Sequence, residues 1–286
     1  MSTDELHKMR HSLAHIMAQA VQHLWPQAKF GVGPAIDDGF YYDIDLGGAT
    51  ISEDDFPKIE KEMKKIIAAN YPFERRDVPI EDAIAWAENN HQVFKLELLN
   101  DLKRSGTTVA KELVGEDLGS VTDRDSKLKT VSLYSQGDYT DLCRGGHADS
   151  TGKVGAFKLM RVAGAYWRGD EKRQQMQRLY GVAFATHKEL DDYLKNLELA
   201  KQRDHRKLGK ELDLYTTSPL VGVGLPLFTP RGTILRDVVA QYSNQLRQKF
   251  GFEKVWTPHI TKKDLYETSG HWAKFGEELF LVKSQE

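Results

Sequence analysis

Cysteine is almost missing from this chain: Cys143 is the only one in 286 residues. An internal disulfide is excluded, and such sparing thiol usage fits a reducing compartment. Long apolar runs are missing too. No stretch of about 18 apolar residues occurs, so no membrane span is expected. The start, Met1-Ser2-Thr3-Asp4-Glu5, lacks the basic and apolar regions of a secretory signal. Charge of one sign is also lacking: 40 basic residues face 42 acidic ones, for a net charge of −2. That balance excludes wholesale nonspecific binding to nucleic acid and leaves only local basic stretches for it. Repeats and low-complexity tracts do not occur. The remainder is 40% hydrophobic and 29% charged, which fills ordinary cores, and the length suits about two domains. A soluble, cytoplasmic protein is expected.

Against this plain background two pairs of side chains stand out. His11 and His15 lie four apart in R-H-S-L-A-H-I-M, and Cys143 and His147 lie four apart in D-L-C-R-G-G-H. Imidazoles and a thiol are the groups that bind metal or move protons near neutral pH. With ten histidines in the chain, an H-x-x-x-H pair alone says little. The helical pattern says more. Leu6, Met9, Leu13, Ile16, Met17, Val21 and Leu24 form one apolar stripe at helical spacing. His11 and His15 point away from it, beside Ala14, Ala18 and Gln22, so a ligand-facing, exposed side of the first helix is expected. The bland alternative is a solvated histidine face and a buried lone thiol.

Trp25-Pro26 ends that helix. Lys29 to Asp45 alternates apolar and aromatic residues around D-D-G and predicts a β-hairpin. A second helix opens at Ser52 with acidic residues in its first turn and runs to about Asn70. Phe73–Val78 predicts a strand, Ile80–Asn89 a helix, and Gln92–Ser105 a helix carrying Lys95. Residues 107–128 predict loops. Short strands at Val131–Tyr134 and Gly137–Leu142 deliver Cys143 to a turn. Lys153–Met176 predicts strands broken at Gly164 and Gly169, and Leu179–Thr186 a further strand. Residues 187–212 predict one long charged helix. An amphipathic helix follows, stopped at Gly251, then a strand over Glu253–Thr257. Gly222 and Gly224 form a lone G-x-G without the context of a phosphate loop.

The chain resembles the threonyl-tRNA synthetase family over essentially its whole length. The residues that carry the resemblance are H-S-L-A-H (11–15), G-P-A-I-D-D-G-F-Y-Y-D (33–43), F-K-L-E-L-L (94–99), D-L-C-R-G-G-H (141–147), A-G-A-Y-W-R-G-D (163–170), K-Q-R-D-H-R-K-L-G-K (201–210) and E-L-D-L-Y (211–215). Residues 231–258 resemble the first signature of class II synthetases, a helix and strand used at a dimer interface. The implied class is α+β: an editing domain of antiparallel sheet packed with helices over 1–186, a linker helix over 187–212, and the beginning of a class II catalytic domain over 213–286. The family's ubiquitin-like domain, later class II motifs and anticodon domain have no counterpart here. ATP, Mg and Zn are therefore expected only in a missing catalytic portion, and aminoacylation is not expected of this chain. Gly146 stands where the family commonly has proline, which loosens the turn.

The resemblance further implies proofreading. A pocket for threonine gains only about 1–3 kcal/mol against serine, which lacks one methyl, so a second site must hydrolyse Ser-tRNA(Thr). His11, His15, Cys143 and His147 would surround the ester, with Lys95 and Asp141 in the same pocket and Tyr42 and Gly33 contacting substrate. His11 is expected to hold the terminal ribose and a water, Lys95 and His147 to position or protonate, Asp141 to bind the seryl amine, and Tyr42 to shape specificity. Metal-free attack by water is the leading mechanism, with no cofactor for editing. Zinc held by His11, His15, Cys143 and His147, as in alanyl relatives, and covalent attack by Cys143 are the alternatives. The partner implied is the acceptor end of tRNA(Thr), with a homodimer through 231–258. A different class of reading is a non-catalytic tRNA-binding module using Lys201, Arg203, Arg206, Lys207 and Lys210, against a plain solvated linker face. Tyr166-Trp167-Arg168 could stack on a nucleotide, although core packing is the commoner fate of a tryptophan.

Overall fold

The computed structural model describes residues 1–105, 129–222 and 224–282. The loops expected over 107–128 lie outside them. The chain divides into two compact units, Met1–Leu199 and Ala200–Glu286. Antiparallel strands and helices alternate, so the α+β class holds.

In the first unit, α1 (Thr3–Leu24) starts on a capping box between Ser2 and Glu5. The strands β1 (Lys29–Phe30), β2 (Ala35–Ile36) and β3 (Gly39–Asp45) follow, and β2 and β3 pair as the expected hairpin around Asp37-Asp38. Helix α2 (Phe56–Ala69) ends on Asn70 in the left-handed region. Then come β4 (Glu74–Pro79), α3 (Ile80–Asn89), α4 (Val93–Ser105), β5 (Thr130–Gln136) and β6 (Tyr139–Leu142). Two long strands close the unit's sheets, β7 (Ala156–Tyr166) and β8 (Gln175–Phe184). The larger sheet runs β1-β3-β8-β7 with β2 on β3, and the smaller runs β4-β5-β6.

The sheet's period of two sends Phe40, Tyr42, Ile44, Leu159 and Leu179 to one face, where they pack with Leu13, Ile16 and Met17 of α1 and Ile59 and Met63 of α2. A second core joins α3, α4 and β5 through Ile80, Ala83, Leu99, Leu102 and Val131.

Two expectations need correction here. The first helix has no exposed side through its middle: Met9 and every residue from His11 to Val21 are buried. Polar partners rather than water surround its histidine side. The strand is not broken at Gly164, because β7 continues through it and turns only at Trp167–Gly169. Trp167 is 2% exposed and packs at 4.8 Å from Phe94, so core packing, the commoner fate of a tryptophan, holds over the stacking platform.

The long charged helix is two helices, α5 (His187–Gln202) and α6 (His205–Glu211). Asp204 breaks it by capping α6, its side chain accepting from the Arg206 backbone N–H. The second unit adds β9 (Tyr215–Thr216), β10 (Leu227–Phe228), α7 (Pro230–Lys249), α8 (Lys263–Thr268) and α9 (His271–Phe275). Helix α7 forms as expected and the chain leaves it at Gly251 with φ 80°. Ile234, Leu235, Val238, Val239 and Tyr242 are exposed along it. Glu253–Thr257 is not a strand, since no described residue supplies a partner ladder. Among the described residues no helix is long and apolar enough to cross a membrane.

His23, near the end of α1, ties three elements together. Its Nδ1 lies 3.0 Å from Glu62 Oε1 on α2, and its Nε2 lies 3.0 Å from Asp138 in the β5–β6 turn. Partial burial opposes its protonation, but the hydrogen bonds to Asp138 and Glu62 outweigh that and raise its pKa. The stabilisation is therefore complete below the unfolded value of about 6.5 and is lost as pH rises through the higher folded value. In urea melts, His23→Gln should lower stability by about 0.5–1 kcal/mol at pH 6, a difference that vanishes in alkali. A difference independent of pH contradicts the charged clamp.

Candidate functional site

The site forms where α1 meets the turn that follows β6. Cys143 Sγ lies 3.4 Å from His11 Nε2 and 3.3 Å from His147 Nε2. The His147 ring sits 4.4 Å from both the His11 and His15 rings, centroid to centroid. Ligand atoms of His11, His15, Cys143 and His147 all lie within 4.8 Å of one another. Two residue pairs some 130 positions apart in sequence thus share one small volume.

The turn itself explains part of this. Gly145 and Gly146 have φ of 113° and 83°. Proline is fixed near −65°, so glycine at 146 permits a turn that proline could not adopt. A Cβ at Gly145 would also run into the Tyr134 hydroxyl. Cys143 is then anchored by Ser132, whose hydroxyl donates to the Cys143 carbonyl at 2.6 Å.

Ser12, between the two helix histidines, sets the state of His147. Its hydroxyl donates to the Lys8 carbonyl at 2.8 Å and accepts from the Ala148 N–H at 2.9 Å. His147 Nδ1 lies 3.4 Å from the same oxygen. The single hydroxyl proton is already spent, so His147 Nδ1 carries its own hydrogen and donates to Ser12. The Nε2 lone pair is left facing Cys143. Phe73 stacks on the His147 ring at 4.7 Å, within 3° of parallel, and fixes its plane. Burial, then the nearby His15 and His11, push the His147 pKa far below the ordinary imidazole value. His15 is driven down as well, by burial first and then by His11 and Lys95. Both rings are neutral at physiological pH.

Beside the imidazoles lies a buried ion pair. Lys95 Nζ on α4 is 2.6 Å from Asp141 Oδ1 and donates to the Tyr42 hydroxyl at 3.1 Å. Tyr42 in turn donates to Asp141 Oδ2. His15 Nε2 is 3.7 Å from that oxygen, so the pair adjoins the histidine cluster. Burial and then the Asp141 charge raise the Tyr42 pKa well above 10, which keeps its proton in place for Asp141. Gly33 lies against the Tyr42 ring, where an added Cβ would collide. The residues expected in the pocket, His11, His15, Gly33, Tyr42, Lys95, Asp141, Cys143 and His147, thus converge on this region, whereas the basic run from Lys201 to Lys210 belongs to the second unit. Ser12, Phe73 and Tyr134 belong to it too. Sequence reading missed them because serine and aromatic residues in such elements carry no distinctive spacing; only Ser12's place between the two histidines offered a signal.

The donor set fits a metal as well as proton chemistry. Around a tetrahedral zinc ion a sulfur and a nitrogen ligand lie roughly 3.5–3.6 Å apart, given N at about 2.0–2.1 Å and S at about 2.3 Å. The two measured sulfur–nitrogen distances, 3.4 and 3.3 Å, are slightly shorter, and the four ligand atoms spread over as much as 4.8 Å, so they would have to rearrange around an ion. The Ser12 contact leaves the His147 Nε2 lone pair on the Cys143 side.

Removing one partner of a buried pair leaves the other charge uncompensated. Asp141→Ala should therefore lower unfolding free energy by about 3–5 kcal/mol, whereas adding Lys95→Met to it should recover part of the loss. A double variant as unstable as the sum of the singles would show that the two groups do not act as a pair.

Residues 131–180, which hold β5, β6 and the Cys143 turn, match the family described as the threonyl and alanyl tRNA synthetase second additional domain. Threonine–tRNA ligase 1 of Bacillus subtilis is 46% identical over 279 residues, covering 98% of this chain and 40% of the relative. The threonine–tRNA ligase of Porphyromonas gingivalis is 46% identical over 275 residues, 96% of this chain and 38% of the relative. That of Halalkalibacterium halodurans is 44% identical over 287 residues, 100% of this chain and 41% of the relative. The chain spans about two fifths of the length of these curated relatives. From end to end it is similar to part of the threonine–tRNA ligases, and its site lies partly within their second additional domain.

Proposed function

We propose that the chain hydrolyses the ester of a mischarged tRNA, releasing serine from Ser-tRNA(Thr). The observation that carries this reading is the meeting of His11, His15, Cys143 and His147 beside the Lys95–Asp141–Tyr42 network. Ester hydrolysis needs an acceptor for a water proton, a donor for the leaving ribose oxygen and charge near the developing oxyanion. Neutral His147 offers the Nε2 lone pair beside Cys143 as acceptor. Lys95 offers a buried ammonium whose position is fixed by Asp141. Asp141 has lone pairs beyond those used by Lys95 and Tyr42, which suits the amine of a seryl group. His11 holds the terminal ribose and a water, and Tyr42, set by Gly33, bounds the pocket on the side-chain end of the amino acid. Residues 1–186 are the editing domain in this reading, and 213–286 begin a catalytic domain joined to it through 187–212.

The clustering of three imidazoles and a thiol supports a second reading, zinc-dependent deacylation with His11, His15, Cys143 and His147 as ligands. Zinc there would supply Lewis acidity and an activated water. Metal-free hydrolysis stands first, since His147 and Lys95 already supply the proton acceptor and donor that the reaction needs. The longer parent protein would join threonine to tRNA(Thr) in the cytoplasm with ATP, Mg and Zn outside this portion, and two copies would pair through 231–258.

Serine release from Ser-tRNA(Thr) by the whole chain, measured with and without chelator, tests the reading. Activity should persist in chelator, fall at least about 100-fold in His11→Ala (the range of one catalytic group), and survive in Cys143→Ala. Loss in chelator with recovery on adding zinc selects the second reading. A dead Cys143→Ala with a trapped thioester selects covalent attack, and no release under any condition defeats all three.

A further inference from the structure

The catalytic cluster uses the inner face of the larger sheet; its outer face carries a separate constellation. Tyr41 on β3 and Tyr180 on β8 are register partners with ring centroids 5.5 Å apart. The Arg161 guanidinium lies 4.0 Å above the Tyr180 ring, and that of Arg178 lies 4.2 Å above Tyr41. Arg178 is also gripped by Asp43 through two hydrogen bonds of 2.6 and 2.8 Å. Arg161 and Lys158 are exposed, and among the described residues no carboxylate is within ion-pair distance of either.

A β-bulge builds this arrangement. Pairing on β7 runs Lys158↔Val182 and Leu159↔Gly181, then skips Met160 to reach Arg161↔Tyr180. Without the extra residue, strand alternation would set Met160 opposite Tyr180 and turn Arg161 to the inner face. The bulge brings Arg161 onto the same face as Lys158. The surrounding segment is strongly biased in charge: residues 153–180 hold seven Lys and Arg against two acidic residues, in a chain whose net charge is −2.

We infer that this face docks the sugar–phosphate backbone of RNA. Both tyrosine rings are already covered by guanidiniums, so the surface presented outward is cationic and planar, suited to phosphate oxygens. Arg178, neutralised by Asp43, holds Tyr41 in place, while Arg161 and Lys158 supply the uncompensated charge. A strand-adding protein partner fits less well, because Glu60 Oε1 already accepts the Leu159 N–H on the free edge of β7 at 2.9 Å. The inference rests on the reading of the substrate as an aminoacyl-tRNA, and extends it to a contact outside the pocket.

The test is binding of a labelled RNA hairpin of acceptor-stem length to the whole chain, followed by anisotropy over a salt series. A Lys158→Gln/Arg161→Gln double variant should bind at least about tenfold more weakly and lose roughly 1–2 from the slope of log K against log salt, near 0.7–0.9 per phosphate contact. A Lys61→Gln/Lys64→Gln control on α2, equal in charge change, should match the parent. Release of serine from a seryl ester of adenosine alone should be unchanged in the double variant. Unaltered RNA affinity in the double variant, or an equal loss in the control, overturns the inference. If instead no ester is hydrolysed but RNA binding responds as described, the hydrolytic reading fails and the docking face stands.

Discussion

The Lys95–Asp141 pair is the constraint on which the site depends. An ammonium and a carboxylate, both almost fully buried, are tolerable only in contact and with their remaining capacity hydrogen-bonded. Tyr42 meets that condition from the central sheet by donating to Asp141 and accepting from Lys95. One network thus joins β3 of the larger sheet, β6 of the smaller sheet and α4. Once Asp141 is fixed, the two-residue alternation of β6 and the two glycines beyond it bring Cys143 and His147 to the buried side of α1.

That placement has electrostatic consequences. His15 and His147 are stripped of water and neutral, so they act as donors and acceptors of single hydrogen bonds rather than as cations. Ser12 decides which nitrogen of His147 bears the proton. The same tautomer serves proton transfer and metal binding, which is why geometry alone leaves the two chemistries close. Positive charge within the pocket comes from Lys95. On the other side of the sheet the bulge at Met160 sets Arg161 on the same face as Lys158, the exposed charge on which the proposed RNA docking rests.

Much of this was legible in the residues. An apolar stripe locates α1 and α7, the acidic first turn after Ser52 locates α2, and D-D-G locates the β2–β3 hairpin, because these signals are local. The converging set His11, His15, Lys95, Asp141, Cys143 and His147 came from motif resemblance. Spacing alone brought forward only the two pairs. The exposure of α1 was misjudged, since a helix with one apolar stripe reads as a surface helix, and nothing local reveals that polar groups from Asp138, Asp141 and His147 will cover its other side. The break at Asp204 was passed over because a capping residue inside a run of Lys, Arg and Glu resembles any other solvated position. Ser12 and Phe73 acquire meaning only through contacts across more than 70 residues.

The account turns on a pocket that separates two amino acids differing by one methyl group. Single-turnover release from Ser-tRNA(Thr) and from Thr-tRNA(Thr), run side by side with the unmodified chain, tests it most directly. The pocket bounded by Tyr42 predicts serine release faster by at least about tenfold, the lower end of what one methyl supplies. Equal rates for the two esters, or faster release of threonine, would contradict it.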